Sequence, residues 1–313
     1  MAGGINMRAV ITGPTGAVGV SLIQELITND WEVIAVVRPN SARLSAIPTD
    51  SHVRVVPCAL NHLKDLPSLI PDKCDVFYHF GWDGTYGESR VNLYRQSENV
   101  IYTIDAVHVA KELGCTVFVG AGSQSEFGHV DGILHPDMVC NPDNGYGAAK
   151  LAACHASRIL CSQLDIRHEW CRIVSLYGPY DGSYTMIMSI ISTLLHGESP
   201  KCTNGDQIWD YIYSKDAARA FRLVAEKGHH GSIYCFGTGR TRRLSDFIKV
   251  IRDQINPDLP IQFGAIPYYP NQVMHLEADI ANLKADTSFE PQYSFEDGIR
   301  ETIAWYKETY KGF

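Results

Sequence analysis

"ITGPTGAVGVSLIQEL", residues 11–26, decides the fold. It reads as the end of an apolar strand, then a turn carrying Gly13, Gly16 and Gly19, then a helix. Glycines so spaced permit a tight turn and close backbone approach, and the helix behind them offers unpaired N–H groups and a positive dipole end to a pyrophosphate. A glycine triplet alone is a weak signal. Order strengthens it, because a second apolar strand, "EVIAVV" at 32–37, follows the helix and completes the unit of a dinucleotide site.

The alternation continues outward from that unit. "VRVVPC", "DVFYHF" and "CTVFVGAGS" are further strands, and "NVIYTIDAVHVAKELG" is a helix. Short, nearly continuous apolar runs separated by helices predict an α/β fold with a doubly wound, Rossmann-type parallel sheet. From about residue 180 the loops lengthen and fill with Gly, Pro, Asn and Asp. We therefore expect a dinucleotide-binding domain over 1–179 that carries the catalytic residues. A smaller C-terminal substrate-binding lobe is expected over 180–313, with some segments returning to the Rossmann domain.

Composition narrows the partners. The 313 residues are 45% hydrophobic and 20% charged, which excludes general disorder. A formal net charge of -8, without a basic stripe, argues against nucleic acid. The nine cysteines show no CxxC pair and no Cys/His spacing that closes a metal site, so they read as reduced thiols of a cytoplasmic protein without a metal. "MAGGINMRAVITG" has no charged-then-apolar leader pattern and no segment approaches 18 uninterrupted apolar residues, so neither export nor a membrane span is expected.

The chemistry centres on "NPDNGYGAAKLAACHASRIL", residues 141–160, where Tyr146 and Lys150 fall one helical turn apart on one face. A free phenol, with a pKa of about 10, is a poor proton donor or acceptor near neutrality. A neighbouring ammonium favours the phenolate and brings that value toward the working range. Tyr146 then exchanges a proton with a substrate oxygen while hydride moves at the adjacent carbon. Ser123, in "VGAGSQSEFG" at the carboxyl end of a strand, is placed to fix that oxygen.

Cofactor choice is read at "VVRPNSARL", residues 36–44. An acidic residue is expected there for the ribose hydroxyls of NAD, yet Arg38 stands in its place, with Ser41 and Arg43 behind it. Arginine pairs with a 2′-phosphate, so NADP(H) is favoured over NAD(H). In "HFGWDGTYGESR" the turn after the strand brings Phe80, Gly81 and Trp82 toward a cofactor, although Trp82 is equally a core aromatic. Asp83 and Tyr86 face a sugar pocket on this reading, and His79 is structural rather than catalytic.

GxxGxxG near the N-terminus with a later YxxxK resembles the short-chain dehydrogenase/reductase superfamily. "RIVSLYGP" at 172–179 resembles the RxxNVYGP element of its extended branch, the NAD(P)-dependent epimerase/dehydratase family. "WDYIYSKDAARAF" and "FEPQYSFEDGIRETIAWYK" resemble two further elements of that branch, so the resemblance spans the chain. Closer still, "KCTNGDQIWDYIY" and "FGAIPYYPNQVMHLEADIANLKA" look like nucleotide-sugar 4-ketoreductases of the CDP-abequose synthase type. The resemblance implies catalytic residues Ser123, Tyr146 and Lys150. It implies cofactor contacts at Gly13, Thr15, Gly16, Ala17, Val18, Gly19, Arg38, Ser41, Arg43, Leu60, Phe80, Gly81, Trp82, Tyr146, Lys150 and Val174. Substrate contacts are implied at Asp83, Ser123, Gln124, Ser125, Tyr146, Ser175, Lys201, Trp209, Arg240, Tyr269 and Asn271. It also implies a homodimer, through a bundle of the helices at "NVIYTIDAVHVAKEL" and "GAAKLAACHASRILCSQL".

Departures from the family matter. Its 4,6-dehydratases carry Asp-Glu after the catalytic Ser/Thr, whereas Gln124 and Ser125 follow Ser123. Two arginines that clamp the substrate diphosphate appear as Trp209 and Tyr269, and the Asn of RxxNVYGP is Ser175. Lys201, Arg240, Arg242, Arg243 and His275 are candidates to restore the charge. The expected activity is NADPH-dependent reduction of a keto group on a nucleotide-linked sugar. The alternatives are a nucleotide-sugar epimerase and a reductase of a carbonyl compound that is not nucleotide-linked.

Overall fold

Arg8–Thr12 forms β1, buried from Ala9 onward, and consecutive side chains feed opposite layers: Ala9 and Ile11 enter one core, Val10 the other. The computed structural model describes residues 7–310. After β1 come α1 (Ala17–Thr28), β2 (Glu32–Val37), β3 (Val53–Pro57), α2 (Leu66–Leu69), β4 (Val76–His79), α3 (Glu88–Val91), α4 (Leu93–Glu112) and β5 (Val117–Ser123). Then follow β6 (Gly132–Leu134), α5 (Gly145–Gln163), β7 (Arg167–Ile173), β8 (Leu176–Tyr177), α6 (Met186–Leu195), β9 (Ile208–Trp209), β10 (Ile212–Tyr213) and α7 (Ser214–Lys227). The chain closes with β11 (Ser232–Phe236), β12 (Arg242–Arg243), α8 (Leu244–Ile255), β13 (His275–Ala278), α9 (Ala281–Thr287) and α10 (Phe295–Thr309).

Seven strands make one parallel sheet in the order β3-β2-β1-β4-β5-β7-β11. This is the doubly wound arrangement predicted from the alternating runs. Leu22, Ile23 and Leu26 of α1 and Ala217, Phe221 and Val224 of α7 cover one face, while Ala106, Val107 and Ala110 of α4 and Cys161 of α5 cover the other. Strand order reverses between β1 and β4, where a crevice opens at the carboxyl ends of the strands.

The lobe has its own core, in which Ile187 and Ile191 of α6, Phe247 and Ile251 of α8, and Ile299 and Ile303 of α10 pack together. β6 joins the lobe sheet β12-β9-β13-β6, while β11 and α7 return to the central layers. Residues 1–6, part of the segment read for a leader, lie outside the described residues.

The helix predicted from residue 99 begins at Leu93, because Asn92 caps it by accepting the Arg95 N–H at 3.1 Å. Polar residues in its opening turns hid that start from apolar periodicity. Two of them are buried and hold the loop after β4. Gln96 donates to the carbonyls of Gly84 at 2.7 Å and Ser89 at 2.9 Å, and accepts the Trp82 indole N–H at 2.8 Å. Asn99 pairs with the Asp83 backbone, donating at 2.9 Å and accepting at 2.7 Å.

Candidate active site

Gly13 turns the chain out of β1 with φ of +69°, and a Cβ there would lie 2.8 Å from the backbone of Phe80 and Gly81 on the neighbouring strand exit. Only glycine fits. At Gly16, the N-cap of α1, no side chain caps the helix and a built Cβ meets nothing within 4 Å. The first turn of α1 therefore offers free N–H groups to open space, which suits an anion.

That space opens into a cleft of about 590 Å³. Gly13 and Gly16–Gly19 line it together with Phe80, Trp82, Tyr146, Lys150, Ile173 and Leu176. A glycine cradle, an uncapped helix end and a Tyr/Lys pair in one cleft suit a dinucleotide.

Tyr146 stands in the first turn of α5, which Asn144 caps by accepting the Gly147 N–H at 2.9 Å. A Cβ at Gly147 would lie 2.1 Å from the Ser125 carbonyl, so glycine lets α5 press against the turn after β5. Ser123 is thereby brought close enough to Tyr146 for its hydroxyl to favour the phenolate by hydrogen bonding. Lys150, buried, donates to the Ala121 carbonyl at 2.6 Å and lies 3.8 Å over the Trp82 ring. Burial pulls its ammonium down to about 7, against the support of Glu126.

The expected lowering of the phenol by Lys150 is not what this geometry produces. Lys150 is 5.8 Å from the Tyr146 ring centroid, and burial raises the phenol above its ordinary value. Arg90, 4.2 Å over the ring, and the hydrogen bond to Ser123 are the influences that pull it back. Arg90 was not among the sequence candidates. It sits on α3, whose four residues carry no apolar periodicity to announce it.

Behind this wall Glu126 is fully buried. Its carboxylate accepts the Ser123 N–H at 2.8 Å, the Trp170 indole N–H at 2.9 Å and the Arg172 Nε–H at 2.8 Å. Arg172, also buried, donates onward to the Pro136 carbonyl at 3.1 Å. Glu126 is committed to this network and does not face the cleft, so the acid and base an elimination needs are absent from the turn after Ser123.

Other candidates scatter. Arg43 lines the cleft and donates to the Tyr180 carbonyl, whereas Arg38 is exposed beyond it and Ser41 accepts the Arg43 N–H at 3.3 Å. Gly81 is buried, donating to Thr12 at 3.1 Å, with Leu60 packed where its Cβ would be. Thr15 is partly exposed beside the glycine turn and Val174 is buried behind Ile173. Trp82 serves both readings, since it lines the cleft and packs on Ala153 and Cys154. His79 is buried against Thr12 at 3.0 Å and pulled down to about 3 by burial, a structural residue as expected.

Several substrate candidates are not brought into the cleft. Asp83 is held by Arg95 in a two-point ion pair at 2.7 and 2.8 Å, because Asn99 turns its backbone toward α4. Ser125 accepts from Arg90 at 2.7 Å, Gln124 lies in the adjoining turn, and Ser175 accepts the Trp209 indole N–H at 2.8 Å. Lys201, Arg240, Tyr269 and Asn271 lie in the lobe, outside the cleft lining. Arg242 is paired with Glu296 at 2.5 Å, and Arg243 reaches Asp206 at 4.0 Å. An acidic partner thus answers Arg242 in the ligand-free protein.

Sequence reasoning missed the segment Tyr180–Tyr184, which walls the cleft from the lobe side. Tyr180 has a positive φ of 65°, and Tyr184 stacks on Tyr86 at 4.2 Å across the mouth. Asp181 accepts from Gly182 at 2.8 Å and Thr185 at 3.0 Å, and burial raises its carboxyl to about 6. The Gly, Asp and Tyr density of "GPYDGSY" directly after a strand was the available signal.

A doubly wound sheet whose switch-point crevice joins a glycine turn to a Ser/Tyr/Lys group defines a nicotinamide-dependent enzyme of the extended short-chain type. The model of the NAD dependent epimerase/dehydratase family matches residues 9–237, and the chain belongs to that family. The chain is 22% identical over 334 residues to dTDP-glucose 4,6-dehydratase of Salmonella typhimurium, covering 96% of this chain and 92% of that one. CDP-abequose synthase of Salmonella muenchen is 22% identical over 306 residues, covering 96% and 98%. Among solved structures, UDP-N-acetylglucosamine 4-epimerase from Methanobrevibacter ruminantium M1 superposes with a TM-score of 0.87 at 21% identity, covering 97% of this chain and 99% of that one.

Glu126→Ala is expected to destabilise the protein by about 3 kcal/mol or more, because it leaves Arg172 buried without its counter-charge. Chemical denaturation checks this; a loss below about 1 kcal/mol would show that the pair does not hold the wall.

Proposed function

We propose that this enzyme reduces a keto group on a nucleotide-linked sugar, with NADP(H) as cofactor. The observation that carries the proposal is that Tyr146 and Lys150 line one cleft with the glycine turn, with Ser123 beside Tyr146. When bound, the nicotinamide supplies hydride to the carbonyl carbon. Tyr146 gives its proton to the carbonyl oxygen, which Ser123 holds by hydrogen bonding. Lys150 would hold the nicotinamide ribose, and a proton from solvent restores the Tyr146 phenol.

The commitment of Glu126 to Arg172 speaks against dehydration. The whole-length likeness to CDP-abequose synthase supports reduction of a nucleotide-linked sugar. Epimerisation remains the second reading, because it uses the same three groups and the fold matches a UDP-sugar epimerase. Positive charge at Arg38 and Arg43, with no acidic residue directly following β2, supports NADP(H).

We further propose a homodimer built on α4 and α5. These helices pack on each other and leave Tyr94, Ile101 and Ile159 exposed, with Ala148 and Ala152 on the outer stripe of α5. No helix among the described residues is long and apolar enough to cross a membrane. Nine unpaired thiols suit a reducing cytoplasmic compartment.

The reaction is tested by following NADPH oxidation with CDP-, UDP-, dTDP- and GDP-linked 4-keto sugars. Stoichiometric consumption with one of them is expected, and Tyr146→Phe should lower kcat by roughly two to four orders of magnitude with cofactor affinity retained. Isomerisation of a 4-hydroxy sugar without net NADPH loss would replace reductase by epimerase. Arg38→Asp is expected to raise KM for NADPH and spare NADH, since attraction of the 2′-phosphate becomes repulsion; equal wild-type KM values for the two cofactors would overturn the preference. Light scattering at micromolar concentration should give twice the chain mass, and a monomer would refute the helix pairing.

A further inference from the structure

Arg90 is a cation beside Tyr146 that the proposed reaction does not use. Its guanidinium carbon lies 4.2 Å from the centroid of the Tyr146 ring. Nη1 donates to the Thr85 carbonyl at 2.9 Å, and Nη2 donates to Ser125 Oγ at 2.7 Å. Both acceptors are neutral, and no acidic side chain pairs with Arg90 among the described residues. Gln96 fixes the approach by holding the carbonyls of Gly84 and Ser89 on either side of the turn into α3. The guanidinium is therefore delivered to the ring by a braced loop.

Lys150, the cation that the YxxxK spacing pairs with Tyr146, points elsewhere. Its ammonium lies on the Trp82 ring and donates to Ala121, 5.8 Å from the Tyr146 centroid. Of the two cations, Arg90 is the nearer to the phenol ring.

We propose that Arg90 is a positioning residue for the proton transfer, the counter-charge that stabilises the Tyr146 phenolate from the face of its ring while Lys150 serves the cofactor side. The role rests on Tyr146 being the proton-transfer group. A cation over an aromatic face is attracted by the ring quadrupole in the neutral phenol. Ionisation spreads net negative charge into the same ring, so the attraction grows, and the cation favours the phenolate. The other groups facing Tyr146 divide by sign. Ser123 on β5 favours the phenolate by hydrogen bonding, while burial, Glu126 in the following turn and Tyr184 before α6 oppose it. Arg90 is the largest of the favourable influences.

The test is a titration that needs no sugar. Difluorotyrosine incorporated throughout brings phenol ionisation toward neutral pH, where the protein stays folded, and Tyr146→Phe identifies the Tyr146 resonance by fluorine NMR. In ligand-free protein, Arg90→Met is expected to move the Tyr146 titration upward by about one pH unit or more. Arg90→Lys should fall between Arg90→Met and the wild type. Should Arg90→Met fail to fold, Arg90→Gln, which keeps donors for Thr85 and Ser125 without the charge, is expected to show the same upward shift. An unchanged Tyr146 titration in a folded neutral variant would overturn the proposal and leave Arg90 a loop brace. Because no substrate is present, failure of every nucleotide sugar to react would overturn the proposed reaction without touching this result.

Discussion

Glu126 and Arg172 are buried together, and the chemistry-bearing wall of the cleft is assembled around their ion pair. An unpaired charge in that position costs several kcal/mol, so each group holds the other in place. The consequence is structural reach. One carboxylate fixes the Ser123 backbone at the end of β5, the Trp170 indole on β7 and, through Arg172, the Pro136 carbonyl. Ser123 has little freedom to drift from Tyr146, since the turn it caps is closed at both ends: its hydroxyl accepts the Ser125 N–H at 3.2 Å and its own N–H goes to Glu126.

The loop beside this wall is braced by amides rather than charges. Gln96 and Asn99 are buried on α4 and spend their side chains on the loop between β4 and α3. Buried amides left unpaired would cost more than their hydrogen bonds contribute, so the loop is held wherever those partners are. This loop supplies Trp82 and Thr85 to the cleft and carries the chain toward Arg90. The cleft is thus a joint between two rigid supports, with the Tyr180–Tyr184 segment lying across it from the lobe.

Electrostatics at the catalytic pair follow from the same burial. Lys150 carries its charge at a cost, which the Ala121 carbonyl and the faces of Trp82 and Trp170 only partly offset. Burial pulls its ammonium down to about 7. A phenol in such surroundings resists ionisation, so a second cation over its ring changes the balance more than the same charge would in water.

The sequence by itself determined the sheet, the glycine turn and the Tyr/Lys pair of the cleft. The β1 turn, the α1 N-terminus and the Tyr146/Lys150 spacing were legible because they depend on contiguous residues, where backbone conformation and helical period leave few alternatives. His79 was legible for a similar reason, being the last residue of a fully buried strand. Side-chain partners across the fold were not. Asp83 belongs to Arg95, Arg242 to Glu296 and Glu126 to Arg172, pairs separated by 12, 54 and 46 residues. Which acid answers which base is set by packing of elements distant in sequence, and no local pattern encodes it. The same holds for Lys150 turning onto Trp82 and Arg90 arriving over Tyr146. Spacing placed a cation next to the phenol; only the tertiary structure decided which one, because the loop that carries Arg90 takes its course from buried amides on a different helix.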